Sequence, residues 1–352
     1  MSNVPPPSNY SSSYPPLFRP NSTPTRVVDQ DDPTTHNPGS DPLPVIDLHG
    51  LNHDAKHTLA EACKVWGIFR LVNHGIPITL LNQLHDHAKE LLSLSFESKQ
   101  ALRSGSMSYF WGTPALTPSG LAIASERSPS SLSINWVEGF NIPLSQLSVL
   151  QADGDPILDT FRHLLDEYGR HQSRVATTIF KAMAENLNLL GQEKCKSYIS
   201  PSTGFIRVYR YPRCSESNHN NRASAWGMDA HADSSVISIL NHHDQVGGLE
   251  VYKDHKWLDI KPIPNTLVVN LGDMTQAMSD DEYKSVKHRV KANKYDDRIS
   301  IGYFVFPAQN GVIQSSKYKP FTYSDFQAQV QKDLMTMGFK VGLDRFKLNK
   351  AS

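Results

Sequence analysis

Residues 284–306 read KSVKHRVKANKYDDRISIGYFVF. Two short runs, 286–292 and 299–306, carry β-forming residues with a period of two, and Asp296-Asp297 marks a turn between them. Alternation along the second run places Arg298, Ser300, Gly302, Phe304 and Phe306 on one face. A guanidinium and a hydroxyl that point into a core need a partner, because an unpaired buried charge is strongly destabilising.

Working outward, similar runs occur at 205–211, 235–240, 249–253, 257–261 and 266–271. Gly247-Gly248, Asp254-His255, Pro262, Pro264 and Gly272-Asp273 separate them. This spacing predicts a sandwich or jelly roll rather than alternating β-α units. Further upstream, Leu43–Leu48 is β-like, 54–65 is helical, and 66–72 reads as a strand closed by Asn73-His74-Gly75. Leucines at 80, 81, 84, 91 and 92 give 78–94 helical spacing. A longer amphipathic helix covers 157–190, with Leu158, Phe161, Leu165, Tyr168, Val175, Ile179 and Met183 on one face. Residues 104–144 are irregular and hold Tyr109, Phe110, Trp111 and Trp136. A last helix starts after Ser324, with Gln327 at capping-box distance.

The expected class is α+β. A Pro/Ser-rich disordered leader (1–42) precedes a helical region (43–200), a β core (201–318) and a C-terminal helix and tail (319–352). Ten of the 23 prolines fall in the leader, which has few large apolar residues to offset its chain entropy.

Lysine plus arginine and aspartate plus glutamate are 35 each. Zero net charge argues against a nucleic acid partner and against a basic membrane-binding face. No apolar run has membrane-spanning length, and the N-terminus lacks a signal-peptide pattern. Cys63, Cys195 and Cys214 are too few and too widely spaced for a disulfide or metal motif. The chain is expected in the cytoplasm, with the nucleus also open to it.

Ala230-His231-Ala232-Asp233-Ser234 opens a strand in this reading, so His231 and Asp233 share a face. His288 supplies a third ligand. Two imidazoles and one carboxylate with other positions open suit a non-haem Fe(II) centre. By contrast, His85 and His87 sit on a helix about 200° apart. His242 and His243 are adjacent and face opposite ways when extended, so all four are assigned to surface or turn positions. Arg298 can grip a carboxylate bidentately with help from Ser300. A dicarboxylate whose other end is a 2-oxo acid able to chelate iron describes 2-oxoglutarate. A structural pair of Arg298 with Asp296 or Asp297 is the bland alternative.

At this point the chain resembles the plant 2-oxoglutarate- and Fe(II)-dependent dioxygenases over residues 43–340. The signatures are LPVIDL (43–48), ACKVWGIFRLVNHGIP (62–77), DQVGGL (244–249), NLGDM (270–274), YKSVKHRV (283–290) and RIS (298–300). The resemblance implies a double-stranded β-helix (jelly-roll) core flanked by helices. It implies His231, Asp233 and His288 as metal ligands, and Arg298, Ser300 and Tyr211 as 2-oxoglutarate contacts. It also implies O2 as oxidant, ascorbate as reductant, a small-molecule substrate and a monomer. Within the family, NHHDQVGGLEV (241–251) and SDDEYKSV (279–286) resemble gibberellin oxidases, above all gibberellin 2-oxidase-like members acting on C20 precursors. The implied activity is oxidation, and with it inactivation, of a gibberellin. The same chemistry on a flavonoid, alkaloid or other terpenoid is the alternative, and a non-catalytic cupin-like binder a further one. Two positions depart from the family: Tyr209 stands where an Asn is usual, and Ala232 where a Thr is usual. The substrate pocket is expected to be apolar, with Tyr109, Trp111, Trp136, Phe304 and Phe306 as walls. Arg207, Arg210 and Arg213 are candidates for a substrate carboxylate, with no inward-pointing member singled out.

Overall fold

A computed structural model describes residues 10–19, 41–51, 53–102, 107–112, 115–116, 122–123, 135–149, 156–214, 226–242 and 245–348. The N-terminal half holds β1 (Val45–Asp47), α1 (His53–Glu61), β2 (Ile68–Val72), α2 (Ile78–Leu92), α3 (Phe96–Ala101), β3 (Ser108–Trp111), β4 (Ala115–Leu116), β5 (Ala122–Ile123), β6 (Glu138–Pro143) and α4 (Pro156–Asn186). The C-terminal half holds β7 (Ser200–Tyr211), β8 (Trp226–His231), β9 (Ile237–Asn241), β10 (Leu249–Lys253), β11 (Lys256–Ile260), β12 (Leu267–Leu271), α5 (Asp273–Met278), β13 (His288–Lys291), β14 (Arg298–Phe306), β15 (Val312–Ile313), β16 (Phe321–Thr322) and α6 (Tyr323–Met337).

An eight-stranded sheet has the order β1-β2-β12-β9-β14-β7-β6-β3, and a four-stranded sheet the order β11-β10-β13-β8. Alternation gives the large sheet two different faces. Phe140, Val208, Ile301, Tyr303, Ile239 and Val269 pack outward with the helices, where all seven predicted apolar residues of α4 are buried. Phe110, Tyr209, Tyr211 and Val268 point the other way and meet Leu249, Val251 and Val290 of the small sheet. The jelly roll therefore has one apolar core under the helices and a second between its sheets, and the candidate site opens from the second.

The predicted strands of the C-terminal half form, with shifted ends. Three differences matter. In the N-terminal half, β3 and β6, which lie within the stretch read as irregular, join β1 and β2, both read as strands, in completing the large sheet. Aromatic and β-branched residues there find ladder partners that local sequence does not announce. The last helix is capped by Thr322 and Asp325 in a reciprocal capping box, two residues ahead of the expected Ser324/Gln327 pair.

The third difference concerns the leader. Residues 10–19 form two short 3₁₀ turns (Tyr10–Ser13 and Pro16–Phe18) that dock on the sheet, with Tyr14 only 4% exposed. Lys99 donates to the Ser13 carbonyl at 2.8 Å and Arg210 to the Ser13 hydroxyl at 3.1 Å. Tyr14 lies 5.8 Å from Trp111 and 5.9 Å from Trp136, centroid to centroid. One aromatic and two buried cations compensate the entropy of ordering this proline-rich piece. The rest of the predicted leader up to residue 40, and tail residues 349–352, lie outside the described residues.

Gly67 joins the halves. Its φ is 68°, and a Cβ there would meet the Lys284 carbonyl oxygen at 2.2 Å. Only glycine permits this approach. Among the described residues no helix is long and apolar enough to cross a membrane.

Candidate metal and cosubstrate site

His231 is the last residue of β8, and Asp233 lies just past it, outside the ladder. The two therefore do not share a strand face, although their spacing alone predicts that they do. The ladder ends at His231, and the irregular backbone through Ala232 brings the carboxylate round. β13 pairs with β8 so that His288 sits opposite His231, with ring centroids 4.3 Å apart. Asp233 Oδ1 lies 3.7 Å from His231 Nε2 and 3.9 Å from His288 Nε2. One ligand atom from each of the three lies within 4.8 Å of the others.

The surroundings fix the donor atoms. The Nδ1 of His231 faces the Asp229 carbonyl at 2.8 Å. A carbonyl only accepts, so Nδ1 carries the proton and the Nε2 lone pair faces the cluster. Asn270 donates to Asp233 Oδ2 at 2.7 Å, leaving Oδ1 turned to the imidazoles. Burial, then the neighbouring His288, lowers the pKa of His231 to about 4. Burial alone would raise that of Asp233, but His288, His231 and hydrogen bonds from Ser238 and Asn270 bring it to about 2. The three thus offer two imidazole nitrogens and one carboxylate oxygen, a set that fits Fe(II).

The cosubstrate candidates also converge. Arg298 and Ser300 are each 1% exposed, and Tyr211 is 3% exposed. Arg298 Nη1 donates to Ser300 Oγ at 3.1 Å, and the guanidinium lies 5.0 Å over the Tyr211 ring. No carboxylate among the described residues pairs with Arg298, and its Nε has no partner. The alternative pairing is excluded. Asp297 binds Arg210 at 2.8 Å, on the opposite face of the sheet, and Asp296 is exposed. A fully buried guanidinium with an idle N–H fits the distal carboxylate of 2-oxoglutarate.

His242 corrects the surface assignment made for it. It is 5% exposed, and its Nδ1 lies 2.9 Å from Arg298 Nη2. Of its neighbour, His243 lies outside the described residues.

The expected substrate walls divide. Register carries Trp111 through Glu138 and Arg210 to Ile299, and Tyr109 through Phe140 and Val208 to Ile301. Both aromatics therefore point away from the face that bears Arg298 and Ser300. Tyr109 donates to Glu138 at 2.6 Å, and Trp111 packs edge-on against Trp136 under Tyr14 and Phe18. These three are packing residues of the outer face. Phe304 does point inward, stacked 5.2 Å from Phe205, and Phe306 stacks 5.3 Å from the same ring after a bulge.

The same register shows that Arg207, of the three candidate arginines, and Tyr209 face inward with Tyr211, and that Phe110 and Phe205, which sequence reading did not place in the pocket, do so too. Arg207 is half-buried opposite Gly302, held by Asn141 Oδ1 at 3.0 Å and Tyr209 Oη at 3.3 Å, with Phe205 and Phe304 beneath it. No carboxylate among the described residues pairs with it. Parity carried the signal: 207 and 209 share the face of 211, and 210 does not.

Residues 202–307 match the family described as the 2OG-Fe(II) oxygenase superfamily. Residues 43–148 match the one described as non-haem dioxygenase in morphine synthesis N-terminal. Gibberellin 2-beta-dioxygenase 6 of Oryza sativa subsp. japonica is 34% identical over 322 residues, covering 86% of this chain and 84% of that protein. Gibberellin 2-beta-dioxygenase 8 of Arabidopsis thaliana is 32% identical over 318 residues, covering 86% of each. Among solved structures, JOX2 in complex with 2OG, Fe, and JA has a TM-score of 0.66 at 27% identity, covering 81% of this chain and 84% of that one. Relatedness over this much of the chain agrees with the donor set and the buried arginine that the fold brings together: the chain belongs to the 2OG-Fe(II) oxygenase superfamily, as a 2-oxoglutarate-dependent dioxygenase.

Proposed function

We propose that this dioxygenase oxidises, and so inactivates, a gibberellin, a rigid diterpenoid acid. Arg207 carries this reading. It places one cation without an acidic partner in an aromatic wall, beside the cosubstrate residues, where an apolar acid would dock by its carboxylate. The names of the rice and Arabidopsis relatives support it.

In this reading His231, Asp233 and His288 hold Fe(II), and Arg298, Ser300 and Tyr211 hold 2-oxoglutarate. When bound, iron and cosubstrate supply the oxidising power for an unactivated C–H. The chain supplies position. Arg207 and Asn141 fix the acid, Phe205, Phe304 and Phe306 exclude water from its skeleton, and the angle between them selects the carbon presented to the metal. Tyr209, filling the usual Asn position, narrows the space between Arg298 and Arg207.

The test is turnover of a C19 and a C20 gibberellin by purified protein with Fe(II) and ascorbate, with and without 2-oxoglutarate, read by mass spectrometry. A product that needs 2-oxoglutarate supports the proposal, and its mass shift identifies hydroxylation or desaturation. Succinate formation without a gibberellin product overturns the substrate and leaves the oxygenase. A second acid, JA, belongs in the same assay, because the JOX2 complex contains it.

A further inference from the structure

The C-terminal tail reaches under the metal site. α6 ends at Gly338, whose φ of 81° reverses the chain, and Lys340 follows two residues later. Its ammonium meets three acceptors: the Ala232 carbonyl at 2.8 Å, Ser234 Oγ at 2.9 Å and Asp273 Oδ2 at 2.6 Å. An ammonium has three N–H donors, so the set is saturated. Ala232 is the residue between His231 and Asp233. Its carbonyl lies past the end of β8, where no ladder partner is available, and Lys340 fills that need.

The contact continues to the other arm. Asp273 accepts from Ser285 Oγ at 2.9 Å through its second oxygen, and its backbone N–H donates to the Asp233 carbonyl at 2.8 Å. Ser285 lies three residues before His288. The Asp273 side chain is 8% exposed, which makes this a strong charge-assisted link. One chain of polar contacts, Lys340–Asp273–Ser285, thus joins the His231–Asp233 segment to the segment that delivers His288.

We propose that Lys340 is a positioning residue of the metal site, which acts through Asp273 and Ser285 to hold the two arms of the donor set at metal-binding separation. The inference rests on the metal site and not on the substrate. Its test contains no gibberellin, so the two proposals fail separately.

The experiment is Mn(II) binding to the metal-free full-length chain, read from the free-ion EPR signal, for wild type, Lys340→Met and Ser285→Ala. Thermal unfolding of each metal-free variant is measured alongside. Removing groups that orient metal ligands typically costs about 10- to 100-fold in affinity, and that loss is expected for Lys340→Met. Ser285→Ala is expected to lose at least about threefold, because it cuts only the His288 arm. A purely structural lysine would lower the melting temperature and leave Mn(II) affinity unchanged. Affinities of both variants within threefold of wild type therefore overturn the proposal. If Lys340→Met does not fold, Ser285→Ala decides by the same threefold criterion.

Discussion

Arg298 donates through Nη2 to Nδ1 of His242 across 2.9 Å, joining β14 to the end of β9 inside the fold. A guanidinium has no acceptor, so Nδ1 must accept and the ring must be neutral. Burial, then the charges of Arg298 and Arg70, hold the His242 pKa well below 6.5. The unfolded chain takes up this proton as pH falls through 6.5, and the folded chain does not. Stability is therefore lost on the acid side and unaffected above it. His242→Asn removes the effect. Urea unfolding at pH 7.5 and 5.5 should show wild type losing about 1.4 kcal/mol more than the variant, one proton's worth over one pH unit. Equal losses would show that His242 is not held neutral.

Arg298→Ala removes the only buried cation beside Ser300 and Tyr211 among the described residues. Truncating one member of a buried charge pair costs about 2–5 kcal/mol, so KM for 2-oxoglutarate should rise roughly 30- to 5000-fold. Mn(II) affinity without 2-oxoglutarate should be unchanged. An unaltered 2-oxoglutarate dependence would remove Arg298 from the cosubstrate site.

Asp233→Ala takes the single carboxylate from a cluster whose other members are imidazoles. Turnover and uncoupled succinate formation should both vanish, and wild type treated with a chelator should behave alike until Fe(II) is restored. Retained activity in the variant would sink the oxygenase assignment of this site.

Arg207→Met should raise KM for an acidic substrate about 10- to 150-fold, the loss of one charge-assisted contact worth about 1.5–3 kcal/mol. KM for 2-oxoglutarate should not move. The sharper readout is the substrate methyl ester. Wild type should discriminate against it and the variant should not. Equal discrimination by both would place the carboxylate elsewhere.

Glu138 is fully buried and binds Lys99, Arg210 and Tyr109 at once. Glu138→Gln leaves Lys99 without its carboxylate and Arg210 with Asp297 alone, and urea unfolding should register a loss of about 3–5 kcal/mol. Tyr109→Phe should lower stability without changing KM for substrate. A raised KM would return Tyr109 to the pocket.

Much of this was legible in sequence because it is local. Turn residues and a period of two give the strands 249–253, 257–261, 266–271 and 299–306, each within one residue of the observed ends. The spacing of α4 gives its buried face, and the residue types of His231, Asp233, His288 and Arg298 carry their chemistry wherever the fold puts them. Parity alone placed Arg298 and Ser300 together, since their alternation holds throughout a regular strand. It failed for His231 and Asp233, because the ladder stops between them.

The sequence by itself therefore determined the helix and strand pattern, the chemical class of the site and its donor residues, all set by residue type and short-range period. Tertiary structure alone decided which partners meet: Arg298 with His242, Lys340 with Ala232, and Arg210 with Asp297. It also turned Tyr109 and Trp111 outward and Arg207 inward, and it ordered residues 10–19 against the sheet. The physical reason is that strand register and tail placement follow from burying two apolar faces at once. That is a balance summed over the whole chain, and no local window of sequence contains it.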